Sequence, residues 1–260
     1  MAWFAPLGLT LLAMSACNPE RTGCFTPAGQ YVEKLVEDLW DEGDAPVVLQ
    51  MSDRVDVVWH QSWLDPGFGG EGVDGEARVV VSGAEGVMRG VRVEVENGAL
   101  VVRDEGRCHG VRDLSLRPQV DIWHPGFAQV WAHGQGNFTT ADTLHSDYFF
   151  YEGNKMAGET TLLLEADSTR ILQRAGYGNL TLKGSSRWAG LYLNGYGYFD
   201  AGDFQVKTAL VHHDGLAHFD VRASNYAFVA LRNAGDCAVH GAPDQLDVDD
   251  TGAGEVVLTD

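Results

Sequence analysis

Three carboxylates stand where a glycan-active enzyme would need them. Asp200 and Asp203 fall in one unit about 20 residues long and Asp220 in the next. Asp200 and Asp220 share a phase, each five residues after the glycine that opens its unit. If the units stack as strands, the two acids lie about 5 Å apart on one outer face. That separation suits a retaining pair or a Ca²⁺ site. In a chain with 37 acidic residues it equally suits a solvated surface, as does the cluster Asp247, Asp249, Asp250 and Glu255. His212-His213-Asp214 has the residue types of a metal triplet, but adjacent strand residues point to opposite faces, which keeps the two imidazoles from one ion. Cys237 and His240, three apart on a strand, are separated by the same alternation. Gly-x-Ser-x-Gly, His-Glu-x-x-His and a strand–GxGxxG–helix are absent, which removes the hydrolase elbow, the zincin helix and the dinucleotide fold. The expectation is no catalytic residue, no metal and no cofactor.

Aromatic residues are the better binding candidates. Tyr148, Tyr151, Tyr177, Trp188, Tyr192, Tyr196 and Tyr198 lie in or beside the repeats. Tyr177 and Tyr196 are each the middle residue of a Gly-x-Gly corner, so stacking would align them as a surface ladder, with Tyr198 close by. Such a ladder can stack on sugar rings, anchor a protein partner, or simply brace one unit against the next.

The elements that must position these residues read as strands. Val47-Val48-Leu49, Val55–Trp59, Arg78–Val81, Val91–Glu96 and Leu100–Val102 are short apolar or alternating runs. Asn97-Gly98 between the last two is a type I′ hairpin signal. Tyr31, Leu35, Val36 and Leu39 stand at helix-like spacing, broken by the acidic tail Asp38–Asp44. From residue 133 a Gly-x-Gly repeat takes over, opening at Gly134, Gly153, Gly176, Gly195, Gly215, Gly235 and Gly252. Its second glycine is replaced by Lys155, Ala217 and Cys237 in three units. Four positions after each opening glycine stands Phe138, Ala157, Leu180, Phe199, Phe219, Val239 or Val256. One apolar residue at fixed phase in a period near 20 predicts an all-β fold, a short parallel β-helix whose phased residues stack in one interior column. Hairpin turns of an antiparallel sandwich are the competing reading.

The ends and the charge bound the setting. Residues 3–14 form an uncharged apolar run, too short to cross a bilayer as a helix and of signal-peptide length. It ends in Met14-Ser15-Ala16-Cys17, which resembles a lipobox with Cys17 as the lipidated residue. The expected organisation is a signal peptide at 1–16, a lipidated tether at 17–30, a strand-rich part at 31–132 and the β-helix at 133–260. Export permits disulfides, and a Cys24–Cys108 bridge would close a loop of about 84 residues, worth roughly 4 kcal/mol in the chain-entropy model. Cys237 is then the odd thiol. Eighteen Lys and Arg against 37 Asp and Glu give a formal charge of −19, which disfavours nucleic acid as a partner.

Gly176-Tyr-Gly-Asn-Leu-Thr-Leu and Gly195-Tyr-Gly-Tyr-Phe-Asp-Ala resemble the repeats of the "Putative auto-transporter adhesin, head GIN domain" family. His240-Gly-Ala-Pro-Asp followed by Gly252-Ala-Gly is similar to its closing phrase, and Val55–Val58 with Asn97–Val102 to its opening strands. The resemblance spans about 25–260. It implies a β-helix-like fold, placement in the bacterial cell envelope, no enzymatic activity, and pairing of an early Cys with one after the opening strands, here Cys24 and Cys108. The expected function is a non-enzymatic envelope lipoprotein, held to a membrane by its lipid, whose adhesin-like β-helix serves as scaffold or binding surface for an envelope glycan or surface protein. The alternative is a polysaccharide lyase or hydrolase using the surface carboxylates.

Overall fold

The computed structural model describes residues 29–37, 39–40, 45–61, 78–106 and 116–259. Cys17, Cys24 and Cys108 lie outside them, and with them the signal-peptide, lipidation and disulfide expectations.

The described chain is almost entirely strand: β1 (Tyr31–Val36), β2 (Val48–Met51), β3 (Asp56–Gln61), β4 (Arg78–Ala84), β5 (Val91–Glu96), β6 (Ala99–Asp104), β7 (Gln119–His124), β8 (Gln129–His133), β9 (Phe138–Thr140), β10 (Leu144–Met156), β11 (Thr160–Gly176), β12 (Leu180–Asn194), β13 (Phe199–His213), β14 (Phe219–Leu231), β15 (Cys237–His240), β16 (Gln245–Asp250) and β17 (Val256–Thr259). One four-residue helix, α1 (Glu85–Met88), follows β4. Tyr31 and Leu35, at helix-like spacing, fall in strand β1, which pairs antiparallel with β4. The hairpin at Asn97-Gly98 joins β5 and β6, with φ of 52° and 77° at the two turn residues, both left-handed as a type I′ turn requires.

From β8 onward every pairing is parallel and joins one coil to the next, so the fold is a β-solenoid of coils about 20 residues long. Each full coil carries three runs of strand. In the coil of β11 these are Thr160–Leu162, Leu164–Ala166 and Ser168–Arg174, which pair with Leu180–Leu182, Gly184–Ser186 and Trp188–Asn194 of β12. The pairing skips Asp147, Asp167, Arg187 and Lys207, an exposed corner. The parallel stack also extends below residue 133: β2 lies between β6 and β8, and β3 between β7 and β9. Antiparallel β4 and β5 flank the rungs of β7 and β6 at that end.

The interior is a set of columns. One runs Val120, Val57, Phe138, Thr160, Leu180, Phe199, Phe219, Cys237, Val256, each paired across a rung with the next. All but Val256 are buried. The phased column predicted from the glycines therefore exists, with two corrections. In the units opened at Gly153 and Gly235 the column position belongs to Thr160 and Cys237. Ala157 is an exposed turn residue, and Val239 sits one inward position further, opposite Val221 and Leu258. The reason is steric. The phase is set by the second small residue of each corner, Gly136, Gly158, Gly178, Gly197, Ala217, Gly235 and Gly254, and the column residue always stands two positions later. There the backbones approach so closely that a Cβ at Gly197 would land on the carbonyl oxygen of Gly178, and one at Gly254 on that of Gly235.

Candidate functional site

The corner between coils is built by backbone and Asx contacts. Tyr177 and Tyr196 donate their N–H groups to the carbonyls of Met156 and Gly176, both at 2.9 Å. One position past the second glycine, the Asn137 side chain accepts the N–H of Glu159 at 2.8 Å, that of Asn179 accepts the N–H of Tyr198 at 2.9 Å, and that of Asp236 accepts the N–H of Glu255 at 2.9 Å. These side chains satisfy amides that the turn leaves without a ladder partner. The corner is thus rigid, and the residue between the glycines is free to project.

Tyr177 and Tyr196 do project. They are 71% and 57% exposed, and their rings stack with centroids 4.9 Å apart and planes 16° from parallel. Leu216, at the same corner position one coil on, is 48% exposed. Tyr198 is 60% exposed but belongs to the neighbouring column, between Asn179 and His218.

A second aromatic surface lies on the outside of the third run of each coil. Arg170, Gly190, Leu210 and Phe228 share one outward rung column; Leu172, Tyr192 and His212 share the next. With Trp188 and Arg174 they line a shallow pocket of about 420 Å³. Arg174 pairs with Glu152 at 3.0 Å and lies 5.7 Å over the Tyr192 ring, while the Tyr192 hydroxyl donates to Asp214 at 3.1 Å. Burial, with that carboxylate beside it, raises the Tyr192 pKa. Trp188 and Tyr192 were legible in the sequence as repeat aromatics. Arg170 and Gly190 were not, because only the register reveals them as rung neighbours.

Four of the acidic side chains singled out in the sequence have side-chain partners. Asp200 and Asp220 are paired rung neighbours, as their phase predicts. Asp220 accepts from Nε2 of His240 at 2.8 Å and contacts Nε2 of His218 at 3.2 Å. His240 Nδ1 in turn meets the Thr259 hydroxyl at 2.6 Å, so hydroxyl, imidazole and carboxylate tie β17, β15 and β14 together. Asp203 lies 3.7 Å from Lys183, Asp247 accepts from the Tyr226 hydroxyl at 2.9 Å, and Asp249 pairs with Arg232 at 2.6 Å. Among the described residues, no group of three or more His, Cys, Asp and Glu is arranged to hold a metal ion. His212 is exposed and His213 buried, as strand alternation requires. His213 donates through Nε2 to the Ala217 carbonyl and accepts from the Gly215 N–H through Nδ1, and burial lowers its pKa. Cys237 is a buried free thiol whose pKa burial, with Asp220 nearby, pushes up to about 12. It is a core side chain with no nucleophilic character at neutral pH.

Comparison with known proteins places this geometry. A crystal structure described as a putative adhesin from Bacteroides fragilis superposes with a TM-score of 0.75 at 16% identity, covering 88% of this chain and 97% of that one. One described as a putative adhesin from Parabacteroides distasonis gives 0.64 at 16% identity, covering 89% and 98%. Another from that organism, described as a putative lipid binding protein, gives 0.59 at 15% identity over the same shares. At these identities the likeness is one of fold. No curated protein sequence matches the chain. Residues 73–243 match the model of a family with this fold, so the chain belongs to the "Putative auto-transporter adhesin, head GIN domain" family.

Proposed function

We propose that the chain is a non-enzymatic protein of the bacterial cell envelope whose solenoid presents a binding surface, with Tyr177, Tyr196 and Tyr198 as its contact residues. The observation that carries this reading is the exposed Tyr177–Tyr196 stack on a hydrogen-bonded corner. Exposed aromatics held on a rigid frame lose little side-chain freedom on binding, which is the property that makes Tyr a strong contact residue. The adhesin description of the family and of two fold relatives supports the same reading. The lipid-binding description of a third offers a different ligand. The sequence Met14-Ser15-Ala16-Cys17 adds the anchor: Cys17 carries lipid, and the folded part stands off the membrane on the tether 18–30.

The alternative, a glycan-active enzyme, would draw on Asp200, Asp203 and Asp220. Asp220 is held by His240 of the next coil at 2.8 Å and by His218 at 3.2 Å, which gives it a role in coil-to-coil cohesion, and Asp203 lies on the open surface beside Lys183. A screen of the folded domain against envelope glycans and surface proteins, run beside lyase and hydrolase assays, tests the choice. Binding without turnover is expected. Turnover that Asp220→Asn abolishes would replace this reading with the enzymatic one.

A further inference from the structure

We propose that the outer face around Gly190 is a binding site for an acidic saccharide, with the Trp188 indole as the ring platform and the Arg170 guanidinium as the carboxylate contact. The proposal rests on the reading of the chain as a binding protein, but it uses a different face from the corner tyrosines.

The missing side chain at Gly190 makes the site. Gly190 points outward, between Arg170 on the preceding rung and Leu210 on the following one. A methyl at 190 would sit 2.8 Å from Cη2 and 3.3 Å from Cζ3 of Trp188. The indole therefore reclines across position 190, where any other residue would lift it off the sheet. Tyr192, two residues on, walls the far side, and Leu172 and Leu210 supply apolar floor. A half-buried indole lying along a rigid sheet offers a flat apolar face, which suits the C–H face of a pyranose.

Charge selects the kind of sugar. Arg174 is held by Glu152 and by the Tyr192 ring. Arg170 is exposed and makes no ion pair among the described residues. A guanidinium with its donors unused, beside an aromatic platform, matches a carboxylate presented from a ring. The chain's charge of −19 does not forbid this, because fields beyond about 8 Å are screened at physiological salt and the local cation decides at contact.

Isothermal titration of the folded domain with a glucuronate-containing hexasaccharide and a neutral gluco-hexasaccharide tests the proposal. The acidic sugar should bind at least about tenfold more tightly at physiological salt, where the chain's net field is screened, with the preference shrinking at high salt. Arg170→Gln should erase the preference. Trp188→Ala and Gly190→Ala should weaken both sugars about tenfold or more with circular dichroism unchanged. Equal affinity for the two sugars, wild-type behaviour of Arg170→Gln, no sugar binding at all, or Arg170-dependent binding to phosphatidylglycerol vesicles in place of sugar would each overturn it. If Tyr177→Ala/Tyr196→Ala abolishes binding while the Gly190 variants bind normally, this proposal fails and the corner reading stands. The reverse pattern supports it and confines the sugar to the Gly190 face.

Discussion

Replacing Phe199 by Ala tests the interior column quantitatively. Phe199 is fully buried, with Leu180 on the rung before it and Phe219 on the rung after. Its ring stacks on that of Phe219 with centroids 4.4 Å apart and planes 13° from parallel. Truncation forfeits roughly 2 kcal/mol of transfer free energy and leaves a void of roughly 100 Å³, which at about 24 cal/mol per Å³ adds roughly another 2 kcal/mol. The expected loss is therefore ~3–5 kcal/mol, a sizeable part of a stability of ~5–15 kcal/mol. Phe219→Ala should cost as much. The double variant should cost about 1 kcal/mol less than the two singles together, because the stack is lost only once. Asp200, one residue along, is exposed, and among the described residues its Oδ1 accepts only the Gly202 N–H at 3.1 Å. Asp200→Ala should cost under ~0.5 kcal/mol. Urea denaturation followed by circular dichroism reads all four variants. A near-neutral Phe199→Ala, or an Asp200→Ala that costs more, would refute the phase of the column, since a one-residue slip exchanges the two faces.

Gly197→Ala should destabilise by ~1–3 kcal/mol, because its methyl meets the Gly178 carbonyl oxygen, and thermal denaturation would reveal a neutral outcome. Cys237 should resist a thiol-specific disulfide reagent in the folded protein and react fully in urea, since the buried thiol has its pKa pushed up to about 12. Buried His124, stacked on Phe127 at 4.0 Å, has its pKa lowered by burial from 6.5 to about 4. Because the unfolded chain takes up that proton first, its contribution is whole above about pH 6.5 and is lost as the pH falls toward 4, by ~2 kcal/mol at pH 5. His124→Phe should flatten the wild-type stability profile by that amount over this window. Equal slopes in the two proteins would show that His124 is not the group responsible.

The solenoid was legible because its cause is local. Close backbone approach at each corner demands Gly, and the inward residue two positions later must be apolar or satisfied. What misled the reading of the units at Gly153 and Gly235 was anchoring on the first glycine, whose place in the turn is taken by Met156 and Asn233 in those coils. The lower rungs were harder. β2 pairs with β6 and β8, partners roughly 50 and 80 residues away in the chain, and nothing in an apolar run such as Val48–Met51 says which strand it meets. The corner tyrosines were legible because the repeat itself aligns them. The Gly190 site was not, since it needs the rung register that sets Arg170 beside Gly190. The Asp220–His240 contact was missed for the same reason: alternation along one strand says nothing about the strand stacked upon it.

The reading of this protein as a binding surface is tested most directly by measuring the affinity of the Tyr177→Ala/Tyr196→Ala variant for the strongest ligand of the envelope screen that the Trp188→Ala variant still binds. Both rings are exposed, so the variant should keep the wild-type melting temperature within a few degrees. Its affinity should fall by about tenfold or more, each lost aromatic contact costing more than ~1 kcal/mol. An affinity equal to that of the wild type, in a variant that folds normally, would contradict the account.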